Sequence, residues 1–263
     1  MLDLASAYHK LDRAKELLDG LDAEVLAWMD LKPYTCFPYI SPNYRRASII
    51  VKAHHDPPIV RWSLIVADII HNIRCALDHA FWAILLNEFG GKAPAKADKL
   101  SFPIWDAAPT SYQKRTFKPI GLKLFTAIES VQPYHHPFPD LPVHPLDIIR
   151  DIDNANKHKL LFTVMASAAR LEVKATNLRN NNQDGIVSEL YLGEIKDGVE
   201  AVVTIFDTPH PYMKYECPTF TTIIAIRHPI ADRIGRDRDD YAWLIDTLLA
   251  ETRSTIDRLV AAI

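Results

Sequence analysis

The chain has 263 residues, 48% of them hydrophobic and 24% charged, proportions that suit a globular protein with a substantial core. Its 30 Lys and Arg against 33 Asp and Glu give a net charge of −3, which excludes the global basic field that draws nucleic acid or an anionic membrane to a whole domain. The three separated cysteines (Cys36, Cys75 and Cys217), with no Cys-x-x-Cys pair, argue against a disulfide framework or a ribbon-type zinc site and fit a reducing cytosol.

Residues 3–30 carry a helical period. Leu4, Leu11, Leu18 and Val25 recur every seven residues, with Ala7, Ala14, Leu21 and Trp28 on the neighbouring seam, so this segment is expected to pack as an arm of a helical bundle. These first residues are charged and amphipathic and carry no apolar signal core, so a cytoplasmic location is expected. Residues 31–58 contain Pro33, Pro38, Pro42, Pro57 and Pro58 and read as a loop holding one short strand, Ala47–Ala53. Residues 59–89 are the strongest helix of the chain. Arg61 and Asp68 interrupt its apolar run, which falls short of the ~20 residues that span a bilayer, so no membrane association is expected.

Residues 92–145 hold nine of the eighteen prolines, a density that forbids long regular elements. The segment reads as an ordered strap with one short helix near Leu122–Ser130, anchored by Phe102, Trp105, Phe117 and Phe125. Residues 145–159 form another helix. From Leu160 the period shortens. Leu171–Lys174 alternates, Lys196-Asp197-Gly198 is a hairpin turn signal, and Thr219–Arg227 is β-branched and apolar. Four or five antiparallel strands are expected across 160–230, with Asn180–Gly185 as an exposed loop. Residues 236–262 close the chain as a helix whose start is favoured by Asp237, Asp239 and Asp240.

The chemistry concentrates on the helix at 59–89. At 100° per residue, Trp62, Val66, Ile69, Ile70, Ile73, Leu77, Ala80 and Ile84 form a wide apolar face. Asp68, His71, Asn72, Cys75, Asp78 and His79 share an arc of roughly 120° on the other side. Arg74 stands at its edge, one turn from Asp78, where an ion pair is natural. This face has neither Glu nor Lys, unlike a solvated one; its short groups, edged by Phe81 and Trp82, suit a partly buried polar network. The segment 147–158 repeats the pattern, matching 68–79 at six of twelve positions. If the two stripes face each other, Asp68, Asn72, His79, Asp151, Asn154 and His158 can form one site.

Three uses of such a site follow. Asp68 and His71, one turn apart, have the spacing of metal ligands, although di-iron bundles rely on Glu and neither stripe has one. A His with an Arg suits phosphodiester chemistry, the first moving a proton and the second stabilising charge on phosphate. The same groups can also serve ligand binding or a purely structural network. His54, His55, His135 and His136 read as surface residues, and Cys75 as a small buried residue. The chain has no phosphate loop, Gly-x-Gly-x-x-Gly, His-Glu-x-x-His or Gly-x-Ser-x-Gly.

The run Ile73-Arg74-Cys75-Ala76-Leu77-Asp78-His79, an Arg followed after four residues by a His on a helix, resembles the motif of the HEPN superfamily, helical domains of many prokaryotic toxins and defence ribonucleases. The wider pattern, His71-Asn72-x-Arg74-x-x-Leu77-Asp78-His79 with Asn154-x-x-Lys157-His158, is similar to that of a bacterial family with no assigned activity. The HEPN resemblance implies metal-independent RNA cleavage without a cofactor. Arg74 would contact the scissile phosphate and His79 would move the proton of the ribose 2′-hydroxyl. Asp78 would stand with them, and His71, Asn72, Asn154, Lys157 and His158 would line the binding surface. The site would be completed across a homodimer. Cys75 departs from the polar residue usual after the Arg. Arg74 and His79 are also about 140° apart on an ideal helix, so their convergence needs long reach, a bend or a partner chain.

The expectation is therefore one elaborated α+β domain over 1–263. A HEPN-like bundle of long helices (3–30, 59–89, 145–159, 236–262) would carry a smaller antiparallel sheet between the fourth and last helices. A ribonuclease or RNA-binding protein heads the functional expectations. A non-enzymatic binding or interaction protein with a structural polar network is the alternative, and a metal-dependent hydrolase comes third.

Overall fold

The computed structural model describes residues 2–135, 143–158, 163–178, 186–190, 194–227 and 240–263. It is an α+β structure whose contacts fall into two compact units. One unit contains residues 1–22, 60–163 and 226–263; the other contains 23–59 and 164–225.

The first unit is helical. It takes the beginning of α1 (Ala5–Asp30), then α2 (Ile59–Glu88), α3 (Ser111–Thr116), α4 (Gly121–Ser130), α5 (Pro145–His158) and α6 (Tyr241–Ala261). The apolar periods read from the sequence are the buried faces. On α1, Ala7, Leu11, Ala14, Leu18 and Leu21 are buried, and on α2 so are all eight residues of the wide apolar face. Local chemistry sets the ends. Gly90 and Gly91, at φ +64° and +88°, stop α2, and the Gly91 N–H donates to the Leu86 carbonyl at 2.7 Å; a residue with a Cβ adopts that backbone at a cost. Thr110 and Gln113 cap α3 reciprocally, an arrangement that satisfies two otherwise open N–H groups. Asp240 accepts the Ala242 N–H at 2.8 Å and starts α6; Asp237 and Asp239 lie outside the described residues. No helix among the described residues is long and apolar enough to cross a membrane.

The proline-rich strap is ordered where described. Phe102, Trp105 and Phe117 are buried, and Phe117 meets Trp105 edge-on at 5.5 Å. Gln132, fully buried, ties the strap together. Its Oε1 accepts the Trp105 N–H at 2.7 Å, and its Nε2 donates to the carbonyls of Pro103 at 3.1 Å and Ile128 at 3.0 Å.

The second unit contains the strands: β1 (Tyr34–Ile40), β2 (Arg46–Ala53), β3 (Thr163–Thr176), β4 (Ile186–Leu190), β5 (Glu200–Phe206) and β6 (Lys214–Arg227). The larger sheet has the order β1-β2-β5-β4, and β3 pairs with β6. Here the sequence expectation needs correction. The sheet is not confined to 160–230: β2 coincides with the short strand expected at Ala47–Ala53, and β1 comes from the part of that segment read as a proline-punctuated loop. Pro38 sits within β1, opposite Ile49. β1 is the edge of its sheet, where the missing proline N–H costs no ladder bond. Ala47 and Ile49 of β2 share a core with Val202, Phe206, Met213 and Tyr215. The expected turn at 196–198 is present. Gly198 has φ +78°, and Asp197 accepts the Ala53 N–H and the Lys52 ammonium, each at 2.9 Å. Asn180–Gly185 lies outside the described residues.

Candidate functional site

The polar stripe lies within the helical unit, and the structure divides it into three sets of contacts. The first goes to the strap. The Arg74 guanidinium donates to the Phe102 carbonyl at 2.6 Å and pairs with Asp78 at 3.1 Å. Asp78 accepts the Phe102 N–H at 2.8 Å. The two side chains thus clamp both backbone polar groups of one strap residue. Arg74 is only 13% exposed and Asp78 32%. Burial pushes the Asp78 carboxyl above its ordinary range, outweighing the opposite pulls of Arg74 and the Phe102 amide.

The second set opens on a cleft. His79 Nδ1 is 2.7 Å from Ser6 Oγ of α1. Both line an open cleft of about 850 Å³ together with Asp3, Asp78, Trp82 and Leu86. Trp82 and Leu86 give it an apolar wall, while Asp3, Ser6 and His79 supply hydrogen-bonding groups. A cleft of this size and mixed lining is of small-molecule dimensions. Arg74 is not among its lining side chains. The ~140° expected between Arg74 and His79 is thus expressed in separate partners: Phe102 for one, Ser6 for the other.

The third set reaches α5. His71 Nδ1 lies 3.1 Å from Asp153 Oδ1, and His71 Nε2 lies 3.4 Å from Cys75 Sγ. Lys157, one turn along α5, pairs with the same Asp153. Asp153 is 4% exposed and His71 53%, so the bond joins a buried anchor to an open ring. A carboxylate only accepts, so the imidazole N–H sits on Nδ1 and donates to Asp153. In the neutral ring Nε2 is then the nitrogen left to accept the Cys75 S–H. Burial pushes the Cys75 thiol up, with Lys10 acting in the opposite direction. Beside this group, Lys10 of α1 donates to Asn72 Oδ1 at 3.2 Å, and Asn72 Nδ2 donates to the Asp68 carbonyl at 2.8 Å.

Of the remaining predicted residues, Asn154 is exposed and the Asp68 side chain is exposed. Asp151 pairs with its neighbour Arg150 at 2.8 Å. The His158 side chain and His136 lie outside the described residues. His54, His55 and His135 are exposed. The two helices do meet, but through Asp153, which sequence matching passed over. A signal for it was present: Leu146, Ile149 and position 153 follow the i, i+3, i+7 period of a core face, and a carboxylate at a core position demands a partner. Ser6 and Lys10, one turn apart on α1, gave no comparable signal.

Among the described residues, no group of three or more His, Cys, Asp or Glu side chains is placed to hold a metal ion. Compared with protein-family models, curated proteins and solved structures, the chain matches none.

Proposed function

We propose that this chain is a binding protein whose ligand occupies the cleft at His79 and Ser6, while Arg74 and Asp78 serve to hold the strap. The observation that carries this reading is the clamp on Phe102. Nη2 of the guanidinium that would stabilise charge on a substrate is committed to a backbone carbonyl and a carboxylate, and Nη1 is buried. The cleft lining suits a small amphiphilic molecule, with an apolar body against Trp82 and Leu86 and polar groups against His79, Ser6 and Asp3. The carboxylates of Asp3 and Asp78 disfavour an anionic ligand.

One observation favours the HEPN-like ribonuclease as a second reading: His79 stands in an open cleft, where an RNA strand has access to it. In that reading Arg74 leaves Phe102 to contact phosphate, His79 handles the 2′-hydroxyl proton, and a second copy of the chain completes the site. No comparable observation favours a metal-dependent hydrolase.

One set of proteins separates the readings: wild type, Arg74→Ala and His79→Ala, each assayed for cleavage of single-stranded and structured RNA and for thermal unfolding. The binding reading expects no cleavage by any of them, a melting point lowered by several degrees in Arg74→Ala, and little change in His79→Ala. It further expects that small-molecule fragments which stabilise the wild type fail to stabilise His79→Ala. RNA cleavage by the wild type, lost in both variants at unchanged melting point, would replace the binding reading with the ribonuclease.

A further inference from the structure

We propose that Cys75 is a covalent modification site, a nucleophilic thiol that forms a mixed disulfide with a low-molecular-weight disulfide while His71 takes its proton and Asp153 positions the ring. The inference uses residues outside the cleft and stands or falls independently of the binding reading.

The geometry is that of a nucleophile, a base and an orienting group in one line. Sulfur lies on Nε2 at 3.4 Å and carboxylate on Nδ1 at 3.1 Å, so the two partners occupy opposite nitrogens of one imidazole. That order matters. Asp153 holds the N–H on Nδ1 and stabilises the imidazolium that forms when Nε2 accepts a proton. Lys157 pairs with the same Asp153 carboxylate. His71 and Cys75 are one helical turn apart on α2, so the backbone itself fixes their separation. His71 is more than half exposed and Cys75 half-buried, so a small reagent can approach from the solvent side of the ring.

The charged groups facing Cys75 are Lys10 from α1, Asp78 from its own helix, and Asp153 and Lys157 from α5. They are two of each sign, and burial keeps the sulfur protonated. The thiol therefore does not act as a preformed thiolate. It needs a base at the moment of attack, and the imidazole is in place to be one. In the exchange, a bond forms between Cys75 Sγ and one sulfur of the disulfide, and the S–S bond of the reagent breaks. The thiol proton passes to His71 Nε2 and from there to the departing thiolate or to water.

Cys36 and Cys217 serve as controls within the same chain. Both are half-buried, and burial pushes the Cys36 thiol up to about 12. The native protein is treated with dithiobis(nitrobenzoate) and the modified cysteines are mapped by peptide mass spectrometry over time. Cys75 is expected to react first, and His71→Gln to slow it by roughly a hundredfold or more at unchanged melting point, the scale of a lost general base. Asp153→Asn is expected to slow it as well. Cys75 reacting no faster than Cys36 and Cys217 overturns the proposal. So does a His71→Gln rate equal to wild type. The comparison among the three cysteines of the wild type needs no variant.

Discussion

Replacing Arg74 with Ala tests whether the guanidinium is a structural clamp. The substitution removes a charged hydrogen bond to the Phe102 carbonyl at 2.6 Å and the ion pair with Asp78 at 3.1 Å. A hydrogen bond involving a charged group contributes about 1.5–3 kcal/mol, and a buried acceptor left open costs about 1–3 kcal/mol. Asp78 is about a third exposed, so water recovers part of its loss, and we expect a deficit of about 2–4 kcal/mol. The deficit should depend on pH with a definite sign. Burial already raises the Asp78 carboxyl in the folded protein, and Arg74 opposes that rise. Without Arg74 the folded carboxyl rises further. A raised folded pKa means that the folded state retains protons, so stability is highest at acid pH and falls as pH rises through that pKa. The gap between wild type and variant should therefore be smaller below the carboxylate range and widen towards neutrality. Urea unfolding at a series of pH values measures it, with hydrogen exchange at the Phe102 amide as the local probe. A deficit under about 1 kcal/mol, or one that does not change with pH, would refute the clamp.

Gln132→Leu keeps the volume of the strap's buried amide but strands the Trp105 N–H and the Pro103 carbonyl, while the Ile128 carbonyl keeps the Val131 N–H. A loss of about 2–3 kcal/mol in urea unfolding is expected, and a neutral result would mean that these groups find other partners. In the β-sheet unit, Glu200 is held below its ordinary range by Arg46, and Ser48 adds to the effect. A depressed carboxyl contributes stability above its unfolded pKa and loses it as pH falls through the folded one. With both partners of the pair about 35% exposed, the contribution is under ~1 kcal/mol. Protection factors for hydrogen exchange across β2 and β5, corrected for the intrinsic rate at each pH, should fall on acidification in the wild type, and by less in Arg46→Met.

The helices were legible in the sequence because their cores repeat. Leu11, Leu18 and Val25 on α1, and Ile69, Ile73 and Ile84 on α2, are buried where a period of seven or a turn of 100° puts them. β1 was not legible. Pro33, Pro38 and Pro42 are read as breakers, and only the pairing order shows that Pro38 stands on an edge where a breaker is tolerated. The candidate site was legible as a place but not as partners. Aligning 147–158 with 68–79 by residue type favours Asp151, Asn154 and His158. Contact is decided instead by which position of α5 turns inward, and that is Asp153. The role of Arg74 depended on Phe102, twenty-eight residues away along a strap whose path no local pattern encodes.

The absence of Glu and Lys from the stripe now has a physical reading. Short side chains reach only what packs directly against the helix, so each samples the neighbour that its own angle faces. Within the helical unit α2 has three such neighbours at this face. Asp78, with the longer Arg74, meets the strap at Phe102. His79 and Asn72 meet α1 at Ser6 and Lys10, and His71 meets α5 at Asp153. Six polar groups on one arc therefore do not make one site. A wheel projection collapses them onto a common direction, but they are spread along the axis by up to eleven residues, or about 16 Å at 1.5 Å per residue. That length is enough for the clamp, the cleft and the thiol–imidazole pair to be served separately, and it is why the convergence of Arg74 with His79 that a single catalytic centre requires has to come from outside this helix.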